Sequence, residues 1–246
     1  RLAIINSPHP GTFLRELQHS PAQQDASQYM HFLCRPDAEA LLSANGYQRL
    51  FGFFDTPAGQ PPAWLTDAVR AQYRDLWAQG LTGACNYYRA SPLRPPRPGD
   101  DSVMALALPP EMLTVSVPTL VLWGMDDPAL LPGLLDGLPD WVPELQLRPV
   151  EGASHWIVHE QPARVAQELA ERARSWLERA AERLVPERGL VHAGNVGRSG
   201  GASEQQDIAA RMRAAWEAHQ GRSDGVSGRG HASEPASSLA ERMRDA

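Results

Sequence analysis

Val117-Pro-Thr-Leu-Val-Leu-Trp-Gly-Met-Asp-Asp127 and, about one strand's length further on, Glu151-Gly-Ala-Ser-His-Trp156 decide how the rest of the chain reads. The first is a continuous apolar run, suited to a buried strand, that ends in two acids; the second delivers a histidine through small residues after another strand-like stretch. Open parallel sheets keep their sites at the carboxyl ends of their strands, so both side chains are expected at one edge. An acid that orients a histidine, which then serves as base, forms the last two members of a catalytic triad. Asp127 is the expected acid, because a carboxylate beneath Leu120, Val121, Leu122 and Trp123 is costly unless donors satisfy it. An acid before Pro128 also suits a plain helix N-cap, and Asp126 is the alternative partner. His155 is expected in a sheltered loop beside Trp156 and Ile157-Val158, whereas His159, next to Glu160 and Gln161, reads as surface.

The first triad member is not in evidence. No Gly-x-Ser-x-Gly, Gly-x-Asp-x-Gly or Gly-x-Cys-x-Gly elbow follows a strand-like run, and the cluster Gly197-Arg-Ser-Gly-Gly201 lies in a polar tail with no strand before it. The chain opens at Arg1 directly into the strand-like Leu2-Ala-Ile-Ile5. The expectation is the C-terminal portion of an enzyme, inactive alone.

Working outward, Asn6-Ser-Pro-His-Pro10 stops the first strand, since two prolines bar both ladder and helix continuation. Residues 1–10 read as a core strand and its exit loop. Residues 11–100 read as a helical cap and connector, with helical segments at Thr12–Leu17, Asp25–Leu33, Pro36–Leu42, around Tyr47–Phe54 and at Pro62–Ala78, then a proline-rich stretch from Ser91 to Asp100. Residues 101–185 return to the core: a strand over Val117–Trp123, a short helix over Ala129–Leu138, a strand over Leu145–Val150 and a charged helix over Gln161–Leu184. Its apolar side is expected to carry Val165, Leu169, Ala173 and Leu177, and its later half reads as a solvated face. Residues 186–246, rich in Gly, Ser, Ala and Arg, read as a disordered tail.

The 246 residues are 42% hydrophobic with a net charge of -6, and the 23 Lys and Arg are scattered, which argues against nucleic acid as a partner. No run of apolar residues is long enough for a membrane span, so no membrane partner is expected. Cys34 and Cys85 lack redox or ligand spacing, and His19 and His31 have no second ligand at metal spacing. Neither metal nor cofactor is expected, the default location is cytoplasmic, and the oligomeric state is not encoded legibly.

Trp123-Gly-Met-Asp-Asp-Pro-Ala-Leu130 together with Gly152-Ala-Ser-His-Trp-Ile-Val-His-Glu-Gln-Pro162 resembles the end of the epoxide hydrolase-like branch of the α/β hydrolases. Asn6-Ser-Pro-His-Pro10 is similar to that family's exit into the cap, and Asn86-Tyr-Tyr-Arg-Ala90 to the cap's closing segment, so the resemblance spans roughly residues 1–183. It implies an incomplete α/β-hydrolase fold: the last parallel strands and helices of the core plus a helical cap. It implies an alkyl-enzyme ester formed by an aspartate that matches nothing here, with Asp127 as acid and His155 as base. Tyr88, and less directly Tyr29, match the cap phenols that hydrogen-bond the epoxide oxygen, while His9 and Trp156 are expected to line the pocket. The substrate class implied is a small apolar epoxide. A haloalkane or haloacetate dehalogenase, a serine esterase of the same fold, and a non-catalytic remnant or binding module are the alternatives.

Overall fold

The computed structural model describes residues 1–184; the proposed tail beyond them lies outside the described residues. Three parallel strands form the sheet in the order β1 (Leu2–Ile5), β2 (Thr119–Gly124) and β3 (Leu145–Val150), with Leu2 opposite Thr119 and Thr119 opposite Leu145. Every residue of β2 is buried, which is why that strand reads as an unbroken apolar run. No strand lies beside the outer edge of β1 among the described residues.

Six helices separate β1 from β2: α1 (Pro10–His19), α2 (Pro21–Ala26), α3 (Tyr29–Leu33), α4 (Ala38–Gly52), α5 (Asp67–Trp77) and α6 (Thr82–Ala90). The stretch expected as one helix from Asp25 to Leu33 is two, and the helix expected from Pro62 begins only at Asp67, where the Thr66 hydroxyl accepts from the Val69 amide. Helix α4 breaks at Asn45, Gly46 and Tyr47, whose φ angles of 50°, 65° and 69° are left-handed, and so matches two expected segments rather than one continuous rod. Between β2 and β3 the helix expected over Ala129–Leu138 is absent. A single 3-10 turn at Pro132–Leu135 precedes α7 (Leu138–Trp141), because Pro132 and a left-handed Gly137 interrupt any longer helix. After β3 come α8 (Ile157–Glu160) and α9 (Pro162–Leu184).

The sheet is covered on both faces, giving the expected layered α/β arrangement. Phe13, Leu14 and Leu17 of α1 meet Val121 and Trp123 of β2, joined by Leu130, Leu134 and Leu138. On the other side, Ile5 and Val150 meet Ala153, Ile157, Val165 and Leu169. The long helix departs from the expected face: Leu177 is 71% exposed, while Arg172 is buried with its guanidinium 4.8 Å from the Trp176 ring centroid. Steps of four residues drift around a helix of 3.6 residues per turn, so the inward stripe passes from Val165 to Arg172 and Trp176. None of the described helices is long and apolar enough to cross a membrane.

The helical layer is itself tied together by Arg89 of α6, which forks onto Glu39 of α4 through contacts of 2.6 and 2.7 Å and also donates to the Arg35 carbonyl. The Arg89 hydrogen bonds hold the Glu39 carboxyl at about 2, below its usual 4.5. A carboxyl depressed on folding contributes stability that is fully present above pH 4.5 and is lost as pH falls toward 2. Acid titration of the folded protein, followed by circular dichroism, is therefore expected to show a shallower loss of stability between those limits in Glu39→Gln than in the unaltered chain.

Candidate active site

Asp127 leaves the carboxyl end of β2 with its side chain wholly buried. Its Oδ1 accepts from the amides of Ala129 at 2.8 Å and Leu130 at 2.9 Å; its Oδ2 accepts from Asn6 Nδ2 at 2.9 Å and meets His155 Nδ1 at 2.7 Å. The two roles that the sequence sets against each other are thus held together, one on each oxygen: Oδ1 caps the following turn and Oδ2 receives the imidazole. Asp126 is exposed and takes no part. Because a carboxylate only accepts, Nδ1 carries the proton, and the lone pair sits on Nε2.

His155 is placed by a short loop after β3. Gly124, at the end of β2, lets this loop pass: an added Cβ would lie 2.4 Å from the Ser154 carbonyl oxygen and 2.5 Å from that of Ala153. Glu160 of α8 clamps the loop from beyond, accepting from the Ser154 amide at 2.7 Å and hydroxyl at 2.6 Å. Asn6 closes the third side. Its amide donates to the Ser154 carbonyl as well as to Asp127, and its carbonyl accepts from the Gly124 amide at 2.8 Å. Asn6 has a left-handed φ of 41°, tolerable for asparagine, which turns its side chain back under the strand ends. In the sequence Asn6 reads only as the start of a loop; the signal for its role is a buried carboxylate's need for donors.

A cavity of about 280 Å³ opens beside the imidazole, with Tyr29, Tyr88, His155 and Trp156 all in its wall. Phe53, Phe54, Tyr73 and Trp77 supply aromatic wall, and Leu33, Leu42, Leu81 and Cys85 supply aliphatic wall. Tyr29 lies edge-on to both Tyr88 and Phe53, with ring centroids 6.0 Å apart in each case. Burial raises the Tyr29 phenol well above its ordinary value, and the neighbouring Tyr88 and Asp127 act in the same direction. Burial also raises Tyr88, so both remain protonated donors at neutral pH. Trp156 bridges the histidine loop to the helices, donating from Nε1 to the Phe53 carbonyl at 3.1 Å and standing edge-on to Phe54 at 4.5 Å.

Two histidines differ from expectation. His9, expected at the pocket, caps α1 instead: Nδ1 accepts from the Gly11 amide, Nε2 bonds the Leu113 carbonyl at 2.7 Å, and the ring stacks on Trp141. Burial lowers its pKa, consistent with a neutral ring serving as both acceptor and donor, and it is not part of the cavity wall. His159, expected at the surface, stacks on Trp64 with centroids 4.3 Å apart and bonds Tyr73 Oη at 2.9 Å, so it links α8 to α5.

No protein-family model matches the chain. It is 34% identical over 177 residues to the AB hydrolase superfamily protein YfhM of Bacillus subtilis (strain 168), covering 70% of this chain and 56% of that protein. To epoxide hydrolase 2 of Caenorhabditis elegans it is 28% identical over 167 residues, covering 66% and 44%. A crystal structure of Bacillus megaterium epoxide hydrolase with an inhibitor superposes with a TM-score of 0.59 at 26% identity, covering 69% of this chain and 59% of that one. The sheet, its crossover helices and these likenesses give the described residues an α/β-hydrolase fold with three parallel strands. Within that superfamily, its similarity is to the epoxide hydrolase-like branch, over about 70% of its length. The chain spans about half the length of the curated relatives it matches.

Gly124 supplies a direct test of the loop geometry. Gly124→Ala is expected to cost about 1–3 kcal/mol, since backbone rather than a flexible side chain must yield. Urea unfolding measures that loss, and the proton on His155 Nδ1 should lose its far-downfield NMR position as the loop is pushed from Asp127.

Proposed function

We propose that the chain supplies the general base, its orienting acid and the substrate cap of an epoxide hydrolase-like enzyme, with residues 11–100 as the cap and 101–185 as the returning core. One observation carries this reading: the 2.7 Å contact between His155 and buried Asp127 at the wall of an apolar cavity that also holds two protonated phenols. The similarity to epoxide hydrolases supports it. A cytoplasmic location is proposed with it, since Cys34 and Cys85 form no disulfide, as suits a reducing setting.

In the proposed reaction a carboxylate nucleophile attacks an epoxide carbon, the carbon–oxygen bond breaks, and the ring oxygen takes a proton from Tyr88 or Tyr29 as its charge develops. His155 Nε2 then takes a proton from water, the hydroxide attacks the ester carbonyl, diol and carboxylate are released, and the imidazolium's proton returns through water to the phenolate left on the tyrosine. Asp127 stabilises the imidazolium formed in that step. The apolar lining favours a small epoxide with hydrocarbon substituents. No elbow follows a strand among the described residues, so the nucleophile is proposed to reside on a further polypeptide segment, and the outer edge of β1 is where a parallel strand would bring it.

The chain alone is expected to form no diol from styrene oxide, and a co-expressed segment carrying a Gly-x-Asp-x-Gly elbow should restore turnover. Clear turnover by the chain alone, or no rescue by any such segment, would count against the proposal. In the restored enzyme, His155→Gln should accumulate the alkyl ester, visible as an added substrate mass, and Tyr88→Phe should lower kcat roughly 10²-fold.

A further inference from the structure

We infer that Gln23 of α2 is a positioning residue for the acid–base pair, holding the turn that fixes Asp127 and joining it to the segment that carries Tyr29. The inference rests on the proposed pairing of Asp127 with His155.

Gln23 is fully buried, an unusual place for a glutamine, and both its amide nitrogen and its amide oxygen are engaged. Nε2 donates to the Ala129 carbonyl at 2.7 Å and to the Ser27 hydroxyl at 3.0 Å, while Oε1 accepts from the Leu131 amide at 3.0 Å. The partners fix the amide's orientation, since a backbone carbonyl accepts and a backbone amide donates. Gln23 therefore grips the turn after β2 on either side of Leu130, in the stretch whose Ala129 and Leu130 amides hold Asp127 Oδ1. The turn has no helix of its own to stiffen it, because the regular structure begins again only at Pro132.

The second arm leads to the phenol. Ser27 is buried, and its carbonyl accepts from the Met30 amide at 3.0 Å in the first turn of α3, beside Tyr29. One side chain thus connects the stretch orienting the imidazole with the stretch placing a candidate proton donor, although these stretches lie about a hundred positions apart. A side chain buried merely for packing has no need of three directed hydrogen bonds; a glutamine here sets the turn's position as a hydrocarbon of equal size could not.

Proton NMR of the whole chain tests this without requiring turnover. The readout is the His155 Nδ1 proton bonded to Asp127, assigned by its loss in His155→Gln. Gln23→Met keeps the volume and removes the three hydrogen bonds. It is expected to speed exchange of that proton with solvent at least about tenfold or to broaden its signal away. Gln18→Met is the matched control, because Gln18 Nε2 donates to two backbone carbonyls, those of Val103 and Leu106, away from the acid turn. It should leave the signal as it is. A Gln23→Met signal like that of the unaltered chain, or equal loss in both variants, overturns the inference. Absence of the signal from the unaltered chain overturns the acid–base pairing beneath it. Should Gln23→Met not fold, amide exchange in the unaltered chain decides: Leu131 protected together with Ala129 and Leu130 upholds the grip, and Leu131 exchanging freely while the other two stay protected overturns it.

Discussion

A single buried carboxylate sets the terms for the surrounding structure. Removing a charge from water costs several kcal/mol unless donors replace the lost hydration. Asp127 receives four, from Asn6, Ala129, Leu130 and His155. They come from three separate places: the exit of β1, the turn after β2 and the loop after β3. Satisfying one side chain thereby requires the strands to be in register and all three connections to end in the right place. Glu160, Gly124 and Asn6 hold the histidine loop to within hydrogen-bond tolerance of that carboxylate.

The cavity separates chemistry from recognition. Tyr29, Tyr88 and His155 lie in its wall among aromatic and aliphatic side chains, many of them from α3 to α6. Such a lining offers little to a charged or heavily hydroxylated molecule and strengthens any hydrogen bond made inside it. The helices that build the wall are fastened to the histidine loop by Trp156 and to α8 by the Tyr73–His159 bond, so wall and imidazole are set relative to each other by directed contacts as well as by packing.

What could be read in advance was whatever repeats or punctuates. The apolar run of β2, the small residues before His155 and the prolines after β1 each carry a local signal, and Asp127 stands out from Asp126 once the cost of a buried carboxylate is set beside a histidine one strand further on. The features missed arise from contacts across the chain. Asn6 looks like a loop residue until Asp127 and Ser154 arrive from more than a hundred positions away, and nothing near His9 announces Leu113. The long helix shows a different failure: four-residue spacing points Leu177 inward, whereas helical drift gives that place to Trp176 and buries Arg172 beside it. Arginine reads as solvent-facing by type, and only the neighbouring ring makes its burial intelligible.

The parallel pairing of β1 with β2 has a kinetic side. Asn6 and Gly124, which lock the two strand ends together, are separated by 118 positions, and the regular structure between β1 and β2 consists of helices. Helices gather their contacts from near neighbours and form quickly, whereas closing so large a loop exacts its entropy before any ladder bond can compensate. Folding should accordingly assemble the helical segment first and zip the sheet late, leaving the strands as exposed, adhesive ribbons during the interval when self-association competes with the native fold.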